Sequence, residues 1–232
     1  MERECVGDFV LFRGQRRDWP LLPKVARSKL RSSISSEETA MLKKFKAKAP
    51  PLLQYFPGGD WEWVAIAQHH GMPTRFLDWT RNPLAALWFA IREAPARDED
   101  GALESGVVWV LDYAEADVVQ NLEVEGSPLT NRKTRIYEPR YVDTRIKAQA
   151  GVFTAHVLNK RDGKESFVPF ERHLKFDGRL RKLIVEPTSF RAMRNALHRC
   201  GVCAETLYGD LTGLAETIGW EHADDGDVVG SK

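Results

Sequence analysis

The sequence predicts an α+β protein, a single mixed domain in which a small sheet is flanked by helices. Short apolar runs of strand length alternate with longer segments in which apolar residues recur with helical periodicity. No linker rich in proline, serine or glycine divides the chain, and 232 residues can bury a hydrophobic core without disulfides or a metal. We therefore expect one folded unit.

Strands are expected where β-branched and aromatic residues form short runs or alternate with polar residues. The first run is apolar and continues into Arg13, and the run VVWVL has the length and composition of a buried strand. The predicted strands or extended segments are residues 9–12, 74–80, 107–111, 151–158 and 183–185.

Helices are expected where a capping residue precedes an amphipathic stretch. Ser35 and Glu38 have the spacing of a capping box, and Asn82 followed by Pro83 is a typical helix start. Gly71 is expected to end the preceding helix in a left-handed conformation. Other helices are expected after Asp60, after Thr188 or Ser189, and after Asp210. Residues 116–145 lack clean periodicity and are expected to be mostly loop.

Charge and cysteine content exclude several classes of protein. Lys and Arg number 34 and Asp and Glu 33, so the net charge of +1 excludes a uniformly basic nucleic-acid coat. Three cysteines do not make a secreted disulfide scaffold, and no apolar stretch approaches the roughly 20 residues that a membrane span needs. We expect a cytoplasmic protein with no membrane contact and a disordered acidic tail over residues 223–232.

The most unusual stretch is the polar cluster, residues 68–80, with the sequence QHHGMPTRFLDWT. It lies between two helices that are expected to be buried, and a helix end that turns into an extended segment holds side chains on rigid supports. Arg75 and Asp78 are close enough in sequence to pair, and a paired arginine is held in place for phosphate or carboxylate. The alternative is that these polar groups form only a structural brace.

Two motifs resemble the FRG-domain family. They are Phe12-Arg13-Gly14-Gln15 and the polar cluster, which continues into a similar RNP and ALWFA stretch over residues 81–90. The resemblance runs over most of the chain, so we predict an FRG domain over residues 1–222. The one departure is Tyr208-Gly209, where the family tends to have Phe-Pro, and it puts no chemistry in doubt. The family is largely without an assigned activity, so the resemblance implies no particular reaction.

A weaker analogy suggests a reaction. In ADP-ribosyltransferase-like proteins, an arginine on a first strand precedes a strand that carries Ser or Thr, and a third strand brings a glutamate. Arg13, Thr80 and Gln149 are similar to this pattern in order and spacing. Gln149 is not a carboxylate, and Glu138 is the nearest acid that could replace it. The analogy implies an ADP-ribosyltransferase-like fold and NAD-dependent ADP-ribosyl transfer or NAD cleavage, with NAD as substrate.

We therefore predict a site for an anionic, nucleotide-like ligand between the first motif and the polar cluster. The predicted ligand-binding residues are Arg13, Gln15, Gln68, Arg75 and Asp78. The predicted catalytic residues are His70 as general acid and base, Thr80 for orientation and Gln149 on the far wall.

A non-catalytic binding module is the alternative. Residues 13–31 are basic, with Asp18 as their one counter-charge, and this stretch could contact nucleic acid or a partner protein. That function requires one shared exposed face for Arg16, Arg17, Lys24, Arg27 and Arg31. No metal site is expected, because Cys200 and Cys203 form a single CxxC without a second pair of ligands.

Overall fold

The chain is an α+β protein, as predicted. The structure is a computed structural model that describes residues 9–53, 55–139 and 150–223. Its described residues form a six-stranded sheet, a separate two-stranded sheet and helices on the faces of the larger sheet. Nearly all of the predicted tail lies outside the described residues, so its disorder stays a prediction.

The five predicted strand segments all overlap observed strands. The strands are β1 (Val10–Gln15), β2 (Phe76–Thr80), β3 (Gly106–Asp112), β4 (Arg135–Tyr137), β5 (Gly151–Ala155), β6 (Asn159–Arg161), β7 (Lys164–Ser166) and β8 (Leu180–Val185). The helices are α1 (Ile34–Lys48), α2 (Asp60–His69), α3 (Pro83–Ile91), α4 (Leu122–Glu125), α5 (Phe190–Arg199), α6 (Ala204–Tyr208) and α7 (Leu211–Glu221). In the part of the chain that the structure describes, none of these helices combines the length and the apolar character needed to cross a bilayer.

The main sheet is nearly divided in two. Its strand order is β4-β5-β2-β1-β3-β8, and all neighbours are antiparallel. β1 pairs with β3 along its whole length, but it pairs with β2 at one position, where Phe12 lies opposite Thr80. The two halves of the sheet are therefore joined by a short contact, and the candidate site lies beside it.

Alternation along the strands gives the sheet two apolar faces. On one face, Phe12 and Val108 pack against α3, α5 and α6. On the other, Leu11 and Trp79 belong to a core that is covered by an irregular segment containing Phe170. Helices α1 and α2 close a third core over the β2–β5 half. The site is thus supported by packed elements on several sides.

Helix α3 lies directly on β1, and Gly14 makes this approach possible. A Cβ atom at residue 14 would overlap the carbonyl oxygen of Ala86 on α3. Gly106 on β3 meets the carbonyl oxygen of Ala90 in the same way. The glycine of the first motif therefore allows close packing of a helix on a strand.

The helix boundaries confirm some predicted caps and correct another. Asn82 Oδ1 accepts hydrogen bonds from the N–H groups of Leu84 (2.9 Å) and Ala85 (3.3 Å), so it caps α3 as predicted. Gly71 has a φ of +85° just after α2, also as predicted. The predicted capping box is wrong, because α1 begins at Ile34. The Glu38 carboxylate is instead buried and pairs with Arg75. The described part of residues 116–145 contains α4 and β4 as well as loop.

Candidate functional site

A cleft of about 360 Å³ opens where β1 and β2 separate. It lies between the two motifs that the sequence singles out, and it brings together four of the predicted residues. The lining consists of Phe12, Arg13, Gly14, Gln68, His69, Asp78, Trp79, Thr80 and Phe89.

Arg13 spans the separation between the two strands. Its Nη1 donates to the main-chain oxygen of Asp78 at 2.6 Å and lies 3.7 Å from Asp78 Oδ2. Burial lowers the pKa of Arg13 and the nearby charge of Arg27 adds to this, while Asp78 opposes both effects. A guanidinium nevertheless remains charged at neutral pH, so the cleft contains a fixed cation.

The end of α2, with Gln68 and His69, and the strand β2, with Asp78, form the facing wall. The turn between α2 and β2 is held by the segment Lys24–Arg27, where Lys24 Nζ donates to Gly71 O at 2.7 Å and the N–H of Val25 donates to Thr74 O at 3.2 Å. These bonds fix the turn against that segment. They also place a short basic segment beside it.

Gln68 orients the carboxylate of Asp78. Its Nε2 donates to Asp78 Oδ1 (3.3 Å) and Oδ2 (3.1 Å), and its Oε1 accepts from the hydroxyl of Thr74 at 2.6 Å. The Asp78 side chain is still 58% exposed. It is the one acid among the described residues that line the cleft. The cleft therefore contains a positioned carboxylate that a ligand can reach.

The two histidines at the end of α2 take different positions. His69 is half-buried and lines the cleft, whereas His70 is exposed and is not among the lining residues. The His70 ring contacts the His69 ring edge-on, with centroids 5.0 Å apart. The structure thus places the predicted general acid and base beside the cleft, and His69 lies where His70 was expected.

Arg75 does not line the cleft, and its predicted pairing with Asp78 is wrong. The residue is 1% exposed, and its Nη2 and Nε donate to the Glu38 carboxylate at 2.5 and 3.1 Å. Its Nη1 donates to Pro128 O (3.1 Å) and Asn131 Oδ1 (3.3 Å). Because each nitrogen of the guanidinium has a partner inside the protein and the side chain is almost fully buried, Arg75 is a structural brace and is not accessible to a ligand.

Two other predicted residues serve the fold. Gln15 is buried and does not line the cleft, because its Oε1 accepts a hydrogen bond from Trp109 Nε1 at 2.8 Å. Thr80 lines the cleft but is buried, and its Oγ1 accepts from the N–H of Asn82 at 3.0 Å. This bond fixes the passage from β2 into α3.

Gln149, the residue predicted for the far wall, lies outside the described residues. The chain next to it reaches the cleft region, since Ala150 O accepts from the N–H of Arg81 at 3.3 Å. Glu138, the acid considered as a replacement for Gln149, does not line the cleft. Its carboxylate pairs with Arg81 and accepts from the Tyr113 hydroxyl at 3.3 Å, so it is held elsewhere.

His69 and Phe89 line the cleft but were not among the predicted site residues, although both lie in the motifs that resemble the family. The choice between His69 and His70 depends on where α2 ends. No group of three or more His, Cys, Asp or Glu side chains among the described residues could hold a metal ion.

The fold and the cleft define an α+β protein with a nearly divided antiparallel sheet and a polar cleft at the division. The family model of the FRG domain matches residues 8–99, which include both motifs. Residues 8–99 are therefore similar to the FRG domain. The match covers less than half of the chain, and the extension of the domain to residue 222 stays a prediction. No curated protein and no solved structure matches the chain significantly.

Proposed function

We propose that the cleft binds a nucleotide-like anionic ligand and that the protein is an enzyme that cleaves it, with NAD as the first substrate to test. One observation carries this proposal. In a single open cleft, the fixed guanidinium of Arg13 lies beside the oriented and accessible carboxylate of Asp78. Such a pair can bind an anion on one side and stabilise a developing positive charge on the other.

Cations and an aromatic side chain support the proposed binding of a nucleotide-like ligand. Arg13 can donate to phosphate oxygens of a dinucleotide, and Arg27 lies close enough for its charge to affect the pKa of Arg13. Phe89 lines the same cleft, is partly exposed and offers apolar surface for a base or a nicotinamide ring. The ligand class is therefore an anion that also carries flat rings.

For the cleavage step, we assign roles to Asp78 and His69. Cleavage of NAD breaks the bond between the nicotinamide nitrogen and ribose C1′, and the electron pair leaves with nicotinamide. The ribose then carries oxocarbenium character, which the Asp78 carboxylate stabilises. Water attacks C1′ and gives its proton to His69, so the products are nicotinamide and ADP-ribose. In ADP-ribosyl transfer, an acceptor group takes the place of water.

The analogy with ADP-ribosyltransferase-like proteins supports this assignment through the order of the elements. Arg13 is on the first strand, and Thr80 ends the strand that enters α3. The role that the analogy gives to a glutamate falls to Asp78 in this proposal, because Gln149 cannot supply a negative charge. Gln68 then acts as a positioning residue for Asp78.

The binding-module alternative has less support from the surface charges. Arg16 pairs with Glu93 at 2.6 Å, and Arg17 pairs with Glu104 at 2.7 Å. Two of the five basic side chains that this function needs are therefore neutralised by acids. A nucleic-acid or protein partner stays a possible outcome of binding experiments, but the cleft favours a small molecule.

The experiment is to incubate the purified full chain with NAD and to measure nicotinamide release by chromatography. Asp78→Asn is expected to lower the rate about 100-fold or more, because the charge that stabilises the transition state is lost. His69→Gln is expected to lower it about 10²- to 10³-fold. His70→Gln is the matched control, since the neighbouring ring lies outside the cleft, and its rate is expected to stay within about twofold of the wild type.

Two results would contradict the proposal. Absence of nicotinamide release, together with no NAD binding in calorimetry, removes NAD as the substrate. A rate that falls with His70→Gln and not with His69→Gln contradicts the assigned proton acceptor.

A further inference from the structure

One edge of the main sheet, formed by β8, is open. The six-stranded sheet ends in β4 on one side and in β8 on the other. The outer side of β4 is covered, because the N–H of Val119 donates to Ile136 O at 2.8 Å and Val118 forms a parallel bridge with Ile136. β8 pairs with β3 along its whole length, and no other described strand lies on its outer side. That side therefore offers main-chain groups to a further strand.

The register of β8 shows which residues turn their main-chain groups outward. Just before β8, the N–H of Asp112 on β3 donates to Arg179 O at 2.8 Å. Hydrogen-bonded pairs alternate along an antiparallel ladder, so residues 181, 183 and 185 turn toward β3 as well. Lys182 and Ile184 lie between them and turn their N–H and C=O groups outward. Within the described residues, these outward groups have no hydrogen-bond partner.

The two charged side chains of β8 do not block this edge. A lysine or arginine that projects past an edge strand ordinarily discourages pairing with another chain. Arg181 turns back toward β3 instead, with its Nη2 3.2 Å from each carboxylate oxygen of Asp112. Lys182 lies over the ring of Trp109 at 5.5 Å and donates to Asp18 at 2.8 Å. Both charges are therefore balanced by acids of the same chain.

The same edge exposes two aliphatic side chains. Leu183 is 54% exposed and Ile184 is 50% exposed. They project from opposite faces of the strand, so an added strand would cover part of both. With its charges balanced and its centre apolar, the edge fits a strand of the same character better than it fits a strongly charged peptide.

We propose that two copies of the protein pair through β8 and join their main sheets across a two-fold axis. A two-fold axis sets identical strands antiparallel, which is the pairing of every neighbour in this sheet. In the proposed register, Lys182 of each copy pairs with Ile184 of the other through their outward main-chain groups. Leu183 then lies opposite Leu183 of the second copy, and Arg181 lies opposite Val185.

The side chains favour this register. The two Leu183 side chains meet at a non-hydrogen-bonded position, where side chains on antiparallel strands approach most closely. Lys182 meets Ile184, and Arg181 meets Val185, so no like charges are opposed. A register that sets Lys182 opposite Lys182 brings like charges together and is disfavoured. The proposal does not depend on the function of the cleft, which lies between β1 and β2.

The first test is analytical ultracentrifugation of the purified full chain in a thiol reductant, from about 1 µM to about 1 mM, a range that includes weak association. The mass is expected to rise from that of one chain to that of two. Leu183→Lys sets two ammonium groups opposite each other at the axis, so it is expected to weaken association about tenfold or more. Ile218→Lys is the matched control, because Ile218 is 48% exposed on α7, and it is expected to associate like the wild type.

The second test is oxidative cross-linking, which examines the register. It uses a chain whose three native cysteines are changed to Ser. Leu183→Cys in this chain is expected to form a disulfide between copies, because Cα atoms at a non-hydrogen-bonded pair lie about 4.5 Å apart. Arg181→Cys is the control, since the two copies of residue 181 would lie about 13 Å apart along the strands, too far for a disulfide.

Three results would overturn the proposal. The chain stays a single copy at the highest concentration, Leu183→Lys associates as tightly as the wild type, or Arg181→Cys cross-links as readily as Leu183→Cys. A thermal melt establishes whether Leu183→Lys folds, and the cross-linking decides the matter if it does not. A chain that stays single and adds an extended peptide at β8 would mean that the edge serves another protein.

Discussion

Arg13 and Arg75 lie in the two motifs of the same domain, and their surroundings are opposite. Arg13 borders an open cleft beside a carboxylate that is 58% exposed. Arg75 is 1% exposed, and its partner Glu38 lies 37 residues away in the sequence. Proximity of an arginine to an acid in the sequence therefore does not reveal whether the arginine serves the fold or a ligand. The role of the arginine depends on whether its acidic partner lies at the surface or in the core.

The largest effect is expected at the buried pair. Glu38→Gln keeps the shape of the side chain and leaves the Arg75 charge buried without its carboxylate, so the free energy of unfolding is expected to fall by about 3–5 kcal/mol. Urea denaturation measures this change. A loss below about 1 kcal/mol would mean that the buried pair contributes no more than a surface salt bridge, and would contradict the distinction drawn between Arg75 and Arg13.

A smaller and pH-dependent effect is expected from His156, whose pKa is influenced by both arginines. Burial lowers the pKa of His156 to about 3 from its ordinary value of 6.5, and His173, Arg13 and Arg75 add to the shift. The unfolded chain takes up this proton below pH 6.5 and the folded chain does not, so stability is complete above pH 6.5 and is lost as pH falls toward 3. The expected loss is about 1.4 kcal/mol per pH unit, or about 2 kcal/mol at pH 5.

Chemical denaturation at pH 7, 6 and 5 measures this dependence. His156→Gln removes the titrating group and serves as the reference, because other groups titrate equally in both proteins. If the variant loses as much stability between pH 7 and 5 as the wild type, another group carries the effect.

The smallest effect on stability is expected in the cleft. Asp78→Asn removes a charge that is mostly solvated, so the free energy of unfolding is expected to change by less than about 1 kcal/mol. The same variant is expected to lose nicotinamide release. A thermal melt measured together with the activity assay therefore distinguishes a residue that acts on the ligand from one that stabilises the fold. A large drop in melting temperature would mean that Asp78, like Arg75, stabilises the fold.

Local signals in the sequence predicted much of the fold and part of the cleft. Asn82 and Gly71 cap helices as expected, because a cap depends on neighbours within a few residues. The cleft was predicted through Arg13, Gln68, Asp78 and Thr80, which lie in the two motifs.

The errors arose where distance in the chain or a single residue of rotation matters. Glu38 looks like a capping residue until the fold brings it to Arg75, and no local pattern contains that pairing. His69 and His70 cannot be distinguished by composition, since adjacent side chains on a helix differ by about 100° in direction. Only the packed structure shows which of the two rings enters the cleft.

The contact of Gly14 with α3 limits how this domain can diversify. Strand and helix touch through bare backbone, so any larger residue at position 14 would push one away from the other. The wall of the cleft that β1 and α3 form is therefore fixed in position. A change in the size of the molecule that enters must come from the opposite wall, where Gln68 and His69 project from the end of α2 and Asp78 projects from β2.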